Sequence, residues 1–186
     1  MAGSACVSIT LVVAMAVAVF ASEARAAEGP AEPYRRLEIQ ERENGYSNLK
    51  TMAVLSKDQL DGLLKQVADT SQHWRTAQKF TQALTEPKID FATEALVLLC
   101  HDEGSGSVQV EFQKPLFVAH RLVCKIKRVP PSGVGTADMA YYAYALVIKR
   151  VDIETVEFQV NGRSTVLKVE APEPTGRSAA APQAEK

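Results

Sequence analysis

The spacing of apolar positions changes three times along this chain, and each change predicts a different kind of segment. Residues 7–21 are an unbroken run of apolar and small side chains, followed by Ser22-Glu23-Ala24-Arg25-Ala26-Ala27. The run is shorter than the roughly 20 residues a helix needs to cross a bilayer, and Ala24 and Ala26 supply the small side chains of an A-x-A cleavage site. This predicts a cleavable signal peptide over residues 1–26, although no Lys or Arg precedes the run. An uncleaved amino-terminal anchor is the alternative.

Residues 27–33 carry Ala and Pro and read as a linker. Residues 36–40 predict a short edge strand, Asn44-Gly45 a turn, and residues 48–55 a strand ending in Met52-Ala53-Val54-Leu55. Ser56 and Gln59 then form a capping box, with Leu55 and Leu60 placed as its hydrophobic staple. Leu60, Leu63, Leu64 and Val67 fall on one helical face, a stripe suited to core packing, and Gly62 sits inside the pattern at modest cost. Trp74, Ala77, Phe80 and Leu84 predict a second helix that Pro87 ends, with Trp74 filling the core.

From Ile89 onward the period becomes that of strands. Residues 95–100 form a continuous apolar run, the mark of a strand covered on both faces. Residues 102–107 read as a turn, after which Val108, Val110 and Phe112 alternate with polar neighbours. Leu122, Cys124 and Ile126 share one face of the next strand, and Arg121, Lys125 and Lys127 the other. Pro130-Pro131-Ser132-Gly133 interrupts the sheet, and residues 141–148 resume it. Val156, Phe158 and Val160 alternate up to Asn161-Gly162, a type I′ hairpin signal, with Val166 and Val169 beyond. The expected fold class is therefore α+β: an antiparallel β-sheet, sandwich-like or half-barrel, with one or two packed helices. Residues 34–170 form the single domain, and residues 171–186, rich in Ala, Pro and Glu, a disordered tail.

Composition narrows the partners. The 21 basic and 22 acidic residues nearly cancel, which argues against nucleic acid or an acidic surface as the main target. In an exported chain Cys6 departs with the signal, leaving Cys100 and Cys124 as a candidate disulfide that would stabilise by on the order of 3 kcal/mol. Two buried, reduced thiols are the alternative.

Candidate chemistry is thin. Cys100-His101 and His120-x-x-x-Cys124 hold ligand types that zinc or copper accepts. On one strand, however, His120 and Cys124 would lie about 13 Å apart, at roughly 3.3 Å per residue. Ser105 and Ser107 lie in a Gly-rich turn without a G-x-S-x-G elbow, and Gly104-x-Gly106 is too short for a phosphate cradle. No catalytic, cofactor-binding or metal-ligating set is read, and no cofactor is expected. The basic stripe Arg121, Lys125, Lys127 and Arg128 reads as a solvated or edge-protecting face, with an anionic partner as the alternative. The tyrosines Tyr141, Tyr142 and Tyr144 suit an interface or a sheet core with hydroxyls at its rim equally well.

The order of these signals resembles the C-terminal domain of the PrcB type, found in an envelope lipoprotein associated with a surface protease complex and in other exported bacterial proteins. The resemblance runs over about residues 34–150: Val54-Leu55-Ser56 and its capped helix, Pro87-Lys88-Ile89-Asp90-Phe91 leading into Ala95-Leu96-Val97-Leu98-Leu99, the break at Val129-Pro130-Pro131, and the strand at residues 142–149. The family's Pro-Thr-Gly-Gly-Tyr turn is replaced by Gly104-Ser105-Gly106-Ser107-Val108, and the proline usual in the last strand is missing. The resemblance implies a non-catalytic accessory domain.

These observations lead to an exported, periplasmic or extracellular module that binds another envelope or secreted protein, a protease among the candidates, with no membrane span in the mature chain. Its expected contact residues are Gly104, Ser105, Gly106, Ser107 and Pro131 in the loops, with Tyr142 and Tyr144 beside them. A proteinase-inhibitor-like domain and an envelope metal-binding protein are the alternatives.

Overall fold

The computed structural model describes residues 32–70, 72 and 74–171; the expected signal peptide, linker residues 27–31 and the tail beyond Ala171 lie outside the described residues. Two sheets and a helical layer are stacked in the order helices, first sheet, second sheet. The first sheet has the order β1-β7-β3-β2, from β1 (Tyr34–Leu37), β2 (Met52–Val54), β3 (Glu94–Glu103) and β7 (Ala140–Lys149). Every pairing in it is antiparallel, and β3 and β7 share a ladder from Glu94↔Lys149 to Glu103↔Ala140. The second sheet has the order β4-β6-β8-β9, from β4 (Gln109–Phe112), β6 (Arg121–Val129), β8 (Thr155–Val160) and β9 (Arg163–Lys168), with β5 (Leu116–Val118) also on β6. The fold is α+β, and the sheets do not close into a barrel. One pairing departs from the antiparallel expectation: β6 and β8 run parallel, because the intervening β7 returns through the other sheet.

Period-two alternation builds two cores at once. On β3, Leu96 and Leu98 face the helices while Ala95, Val97 and Leu99 face the second sheet; on β7, Ala143, Ala145 and Val147 face the helices and Tyr144, Leu146 and Ile148 the other way. A strand buried on both faces needs apolar residues at every position, which accounts for the unbroken runs in the sequence.

The helical layer is α1 (Lys57–Asp69) and α2 (Ala77–Thr85). Ser56 caps α1 by accepting from Gln59 N at 3.2 Å, and Leu60, Leu63 and Val67 are buried against the sheet. The expected capping box is changed in one partner, since the Gln59 side chain accepts from Leu55 N rather than Ser56 N. The expected staple does not form: Leu55 packs on the core between the sheets and Leu60 on the core under the helices. Trp74 precedes α2 instead of opening it and is buried beside Tyr46 and Phe80. A Cβ at Gly45 would overlap the Trp74 ring, so the turn at Asn44–Asn48 is closed by a residue with no side chain.

The disulfide expectation is corrected. Both cysteines are free. Cys100 packs with the helix-side core and Cys124 lies in the inter-sheet core, so they sit on opposite faces of β3's sheet. Burial pushes both thiols up to about 12.

Candidate protein-contact surface

β3, β6 and β7 all reach one end of the domain, where Glu103 leads into the 104–107 turn and Val129 into the loop that returns at Ala140. The two loops are laced together. Ser105 Oγ donates to Thr136 O at 2.7 Å, Ser107 Oγ donates to Thr136 Oγ1 at 2.9 Å, and Thr136 N donates to Ser107 Oγ at 2.9 Å. Gly106 N donates to Asp138 O at 2.7 Å, and Arg42 Nη1 donates to Gly106 O at 3.0 Å. A Cβ at Gly106 would overlap the Asp138 carboxylate and stand 2.8 Å from Arg42 Nη2, so the close approach depends on glycine. A hydrogen bond from the Thr136 hydroxyl is the main reason the exposed Asp138 carboxyl lies below its ordinary value.

Beneath the loops lies a polar cluster, centred on buried Glu103, that ties the two sheets. Glu103, only 5% exposed, accepts from Arg128 Nε at 2.5 Å and Arg128 Nη2 at 2.6 Å, a bidentate pair, and from Gly104 N at 3.1 Å. His101 Nε2 stands 3.4 Å from the same carboxylate, and its ring stacks against Tyr142 at 6.4 Å between centroids. The Arg128 hydrogen bonds hold the Glu103 carboxyl below its ordinary range. The polar support leaves apolar side chains at the top: Val134 is fully exposed, with Met139 and Val129 exposed near it.

The structure therefore brings together Gly104, Ser105, Gly106, Ser107 and the loop containing Pro131, but it removes the two tyrosines from the surface. Tyr142 is buried, donating its hydroxyl to Val108 O at 3.1 Å, and Tyr144 is fully buried, stacked on Phe112 at 4.4 Å. They share a face as expected, but it is the face turned to the second sheet, so neither presents a contact surface. Arg128 likewise leaves the expected basic stripe. It falls on the face of Leu122, Cys124 and Ile126, where Glu103 neutralises it. Glu103, Arg42, Thr136 and Asp138 are additional members of this region. For Glu103, the signal in the sequence was the odd-numbered face of β3, which continues through His101 into the supposed turn.

The remaining candidate chemistry is dispersed. His101 lies at the loop end, whereas His120 sits in the turn before β6, its Nδ1 donating to Asp152 O at 3.0 Å. Among the described residues no three His, Cys, Asp or Glu side chains converge closely enough to hold a metal ion. An open groove of about 690 Å³ lies at the sheet edge, lined by Lys50, Thr51, Cys100, His101, Asp102 and Arg163 among others. Its thiol is Cys100, whose high pKa leaves it protonated at neutral pH.

Comparison with protein-family models, with curated proteins and with solved structures finds no match for this chain.

Proposed function

We propose that this chain is an exported accessory module, periplasmic or extracellular, that binds another protein through the paired loops at residues 104–107 and 130–136. The observation that carries the reading is the lacing of those loops: three hydrogen bonds join Ser105 and Ser107 to Thr136, a fourth joins Gly106 N to Asp138 O, and a glycine packs under Asp138 and Arg42, while Val134 stands free two residues before Thr136. Preorganised loops on a rigid sheet lose little conformational freedom on binding, which favours their use as a contact surface. The PrcB-type resemblance supports the same reading and adds a protease complex to the candidate partners.

One observation favours a second reading within this frame. Val134 stands fully exposed on a loop that opens with Pro130-Pro131, an arrangement able to offer one apolar side chain to a peptidase cleft. The test is a crosslinked pull-down from envelope extracts with the chain from Ala27, read by mass spectrometry and run beside a panel of peptidases. A dominant partner captured by this chain and lost with Val134→Asp supports the accessory reading. Inhibition of a peptidase lost with the same substitution supports the second. Capture unchanged by Val134→Asp and Gly106→Ala overturns the assignment of this surface.

A further inference from the structure

β9 is the longest open strand edge among the described residues. It has 6 residues, whereas the other edge strands, β1, β2, β4 and β5, have 4, 3, 4 and 3. Short edges resist pairing with another chain, and long unblunted ones invite it. β9 carries no proline and pairs with β8 without a bulge, and all its residues but half-buried Leu167 are exposed. The lysines of the basic stripe do not guard it, since Lys125 and Lys127 lie on β6, which has neighbours on both sides.

The hairpin fixes which backbone groups are free. A two-residue Asn161-Gly162 turn makes Val160↔Arg163 a hydrogen-bonded pair, so Arg163, Thr165 and Leu167 exchange bonds with β8. Val169 keeps the alternation, donating from N to Glu154 O at 2.8 Å. Ser164, Val166 and Lys168 therefore turn their amides and carbonyls outward. Beyond Lys168 the chain leaves this edge: Val169 is buried between the sheets, and Glu170 O accepts from Arg150 Nε at 2.9 Å. The sequence after Ala171 is ill-suited to covering it as a strand, with Pro172, Pro174 and Pro182.

The side chains of β9 complement a second copy of the same strand. On the outer sheet face Leu116, Val123, Glu157 and Val166 form one row across β5, β6, β8 and β9. Val166 ends that row 57% exposed, and Ser164 Oγ beside it donates to Glu157 Oε1 at 2.8 Å. An antiparallel pair of β9 strands about a twofold axis at Val166 gives each outward residue a partner: Val166 meets Val166, and Ser164 meets Lys168. Lys168 of the second copy then stands over the hydroxyl that holds Glu157, bringing an ammonium to that carboxylate, and symmetry repeats the contact. The smallest slip that keeps outward groups facing sets Val166 against Ser164 or Lys168 and loses the match. We propose that two copies of this chain associate through β9, antiparallel with Val166 on the twofold axis, joining their second sheets into one. The contact is small, so association is weak and concentration-dependent. It does not draw on the paired loops, and its failure would leave the accessory reading untouched.

The test is sedimentation equilibrium of the chain from Ala27, whose two cores, among the described residues, are complete between Tyr34 and Val169. A reversible monomer–dimer equilibrium is expected, half-associated at roughly 100 μM. Lys168→Glu sets like charge beside Glu157 and should weaken it at least about tenfold. Val166→Pro removes an amide that its own sheet does not use and should abolish it. Melting temperatures at low concentration that match the parent establish that both variants fold; where proline unfolds the chain, Lys168→Glu carries the test. Val166→Cys should oxidise to a linked dimer, because hydrogen-bonded partners about 5.5 Å apart at Cα fit a disulfide. The parent chain and Gln109→Cys, on the other edge of the sheet, should not. A chain that stays monomeric up to about 1 mM overturns the proposal. So does association unchanged by both variants, or linking of Gln109→Cys but not of Val166→Cys.

Discussion

The β3–β7 ladder runs the length of the domain, and its two ends are finished in different chemistry. At the loop end, Glu103 and Arg128 bridge the sheets from below, and hydroxyls and amides of residues 105–107 tie the 130–136 loop from above. At the terminal end the polar contacts are surface ion pairs, Glu32 with Lys114 and Arg35 with Glu94, and bonds to backbone carbonyls such as those of Arg150 to Phe91 O and Glu170 O, with exposed aliphatic and aromatic side chains standing among them. Both ends expose apolar residues, but on different supports. The loop end places Val134 two residues from the braced Thr136, whereas the terminal end places Leu116, Phe117 and Val118 on a three-residue strand beyond a bulge. Exposed apolar area alone therefore does not separate the two ends; what holds it does.

The contrast can be broken most severely beneath the loops. Arg128→Ala leaves Glu103 buried without its partner and should cost on the order of 3 kcal/mol, toward the low end of the usual range because Arg128 is itself 35% exposed. Urea unfolding measures this. The same pair sets an acid limb. Glu103's carboxyl is held below its ordinary 4.5, so its stabilisation is fully present above that value and is lost as pH falls through the lower folded one. The parent chain should show this loss below about pH 4.5, and Arg128→Ala should show much less of it. Gly106→Ala forces the loops apart and should cost about 1–3 kcal/mol, together with partner capture, in a paired melting and pull-down experiment. At the other end, changing Leu116, Phe117 and Val118 together to serine removes exposed groups and should shift stability by no more than about 0.5 kcal/mol per site, read by the same urea unfolding. Last comes a change with no expected effect: reductant should leave the melting temperature of the chain from Ala27 unaltered. Thiol titration should find Cys124 unreactive until the chain unfolds, and Cys100, half-buried at the groove with a raised pKa, slow to react.

Much of the fold was legible where a residue's chemistry speaks locally. Ser56 announces the start of α1, the run at residues 95–100 announces a strand covered on both faces, and Asn161-Gly162 announces its hairpin with φ of 51° and 75°. The adjacent failure is instructive. Ala119 and His120 make the same kind of turn, at φ of 48° and 62°, with side chains that disfavour it, so β5 went unread. The bulge before it, three residues opposite two between Phe112↔Ile126 and Leu116↔Val123, also hides the edge strand's continuity. The parallel β6–β8 pair was illegible because it depends on where the chain goes between them. Of the candidate contact surface, the glycine and serine positions were readable as a loop. The fate of the tyrosines was not, since alternation places Tyr142 and Tyr144 on one face without saying that a second sheet covers it.

The ten-rung pairing of β3 with β7 has a mechanical consequence. Pro33 hydrogen-bonds beside Lys149 at one end of that ladder, and the paired loops leave from Glu103 and Ala140 at the other. A pull between a tether at Pro33 and a load on the loops is directed along the strands. Antiparallel rungs lie across that direction and share the load in shear, whereas a hairpin opened from one side yields rung by rung. The long doubly buried ladder thus makes the domain stiff along the line from its first residues to its paired loops.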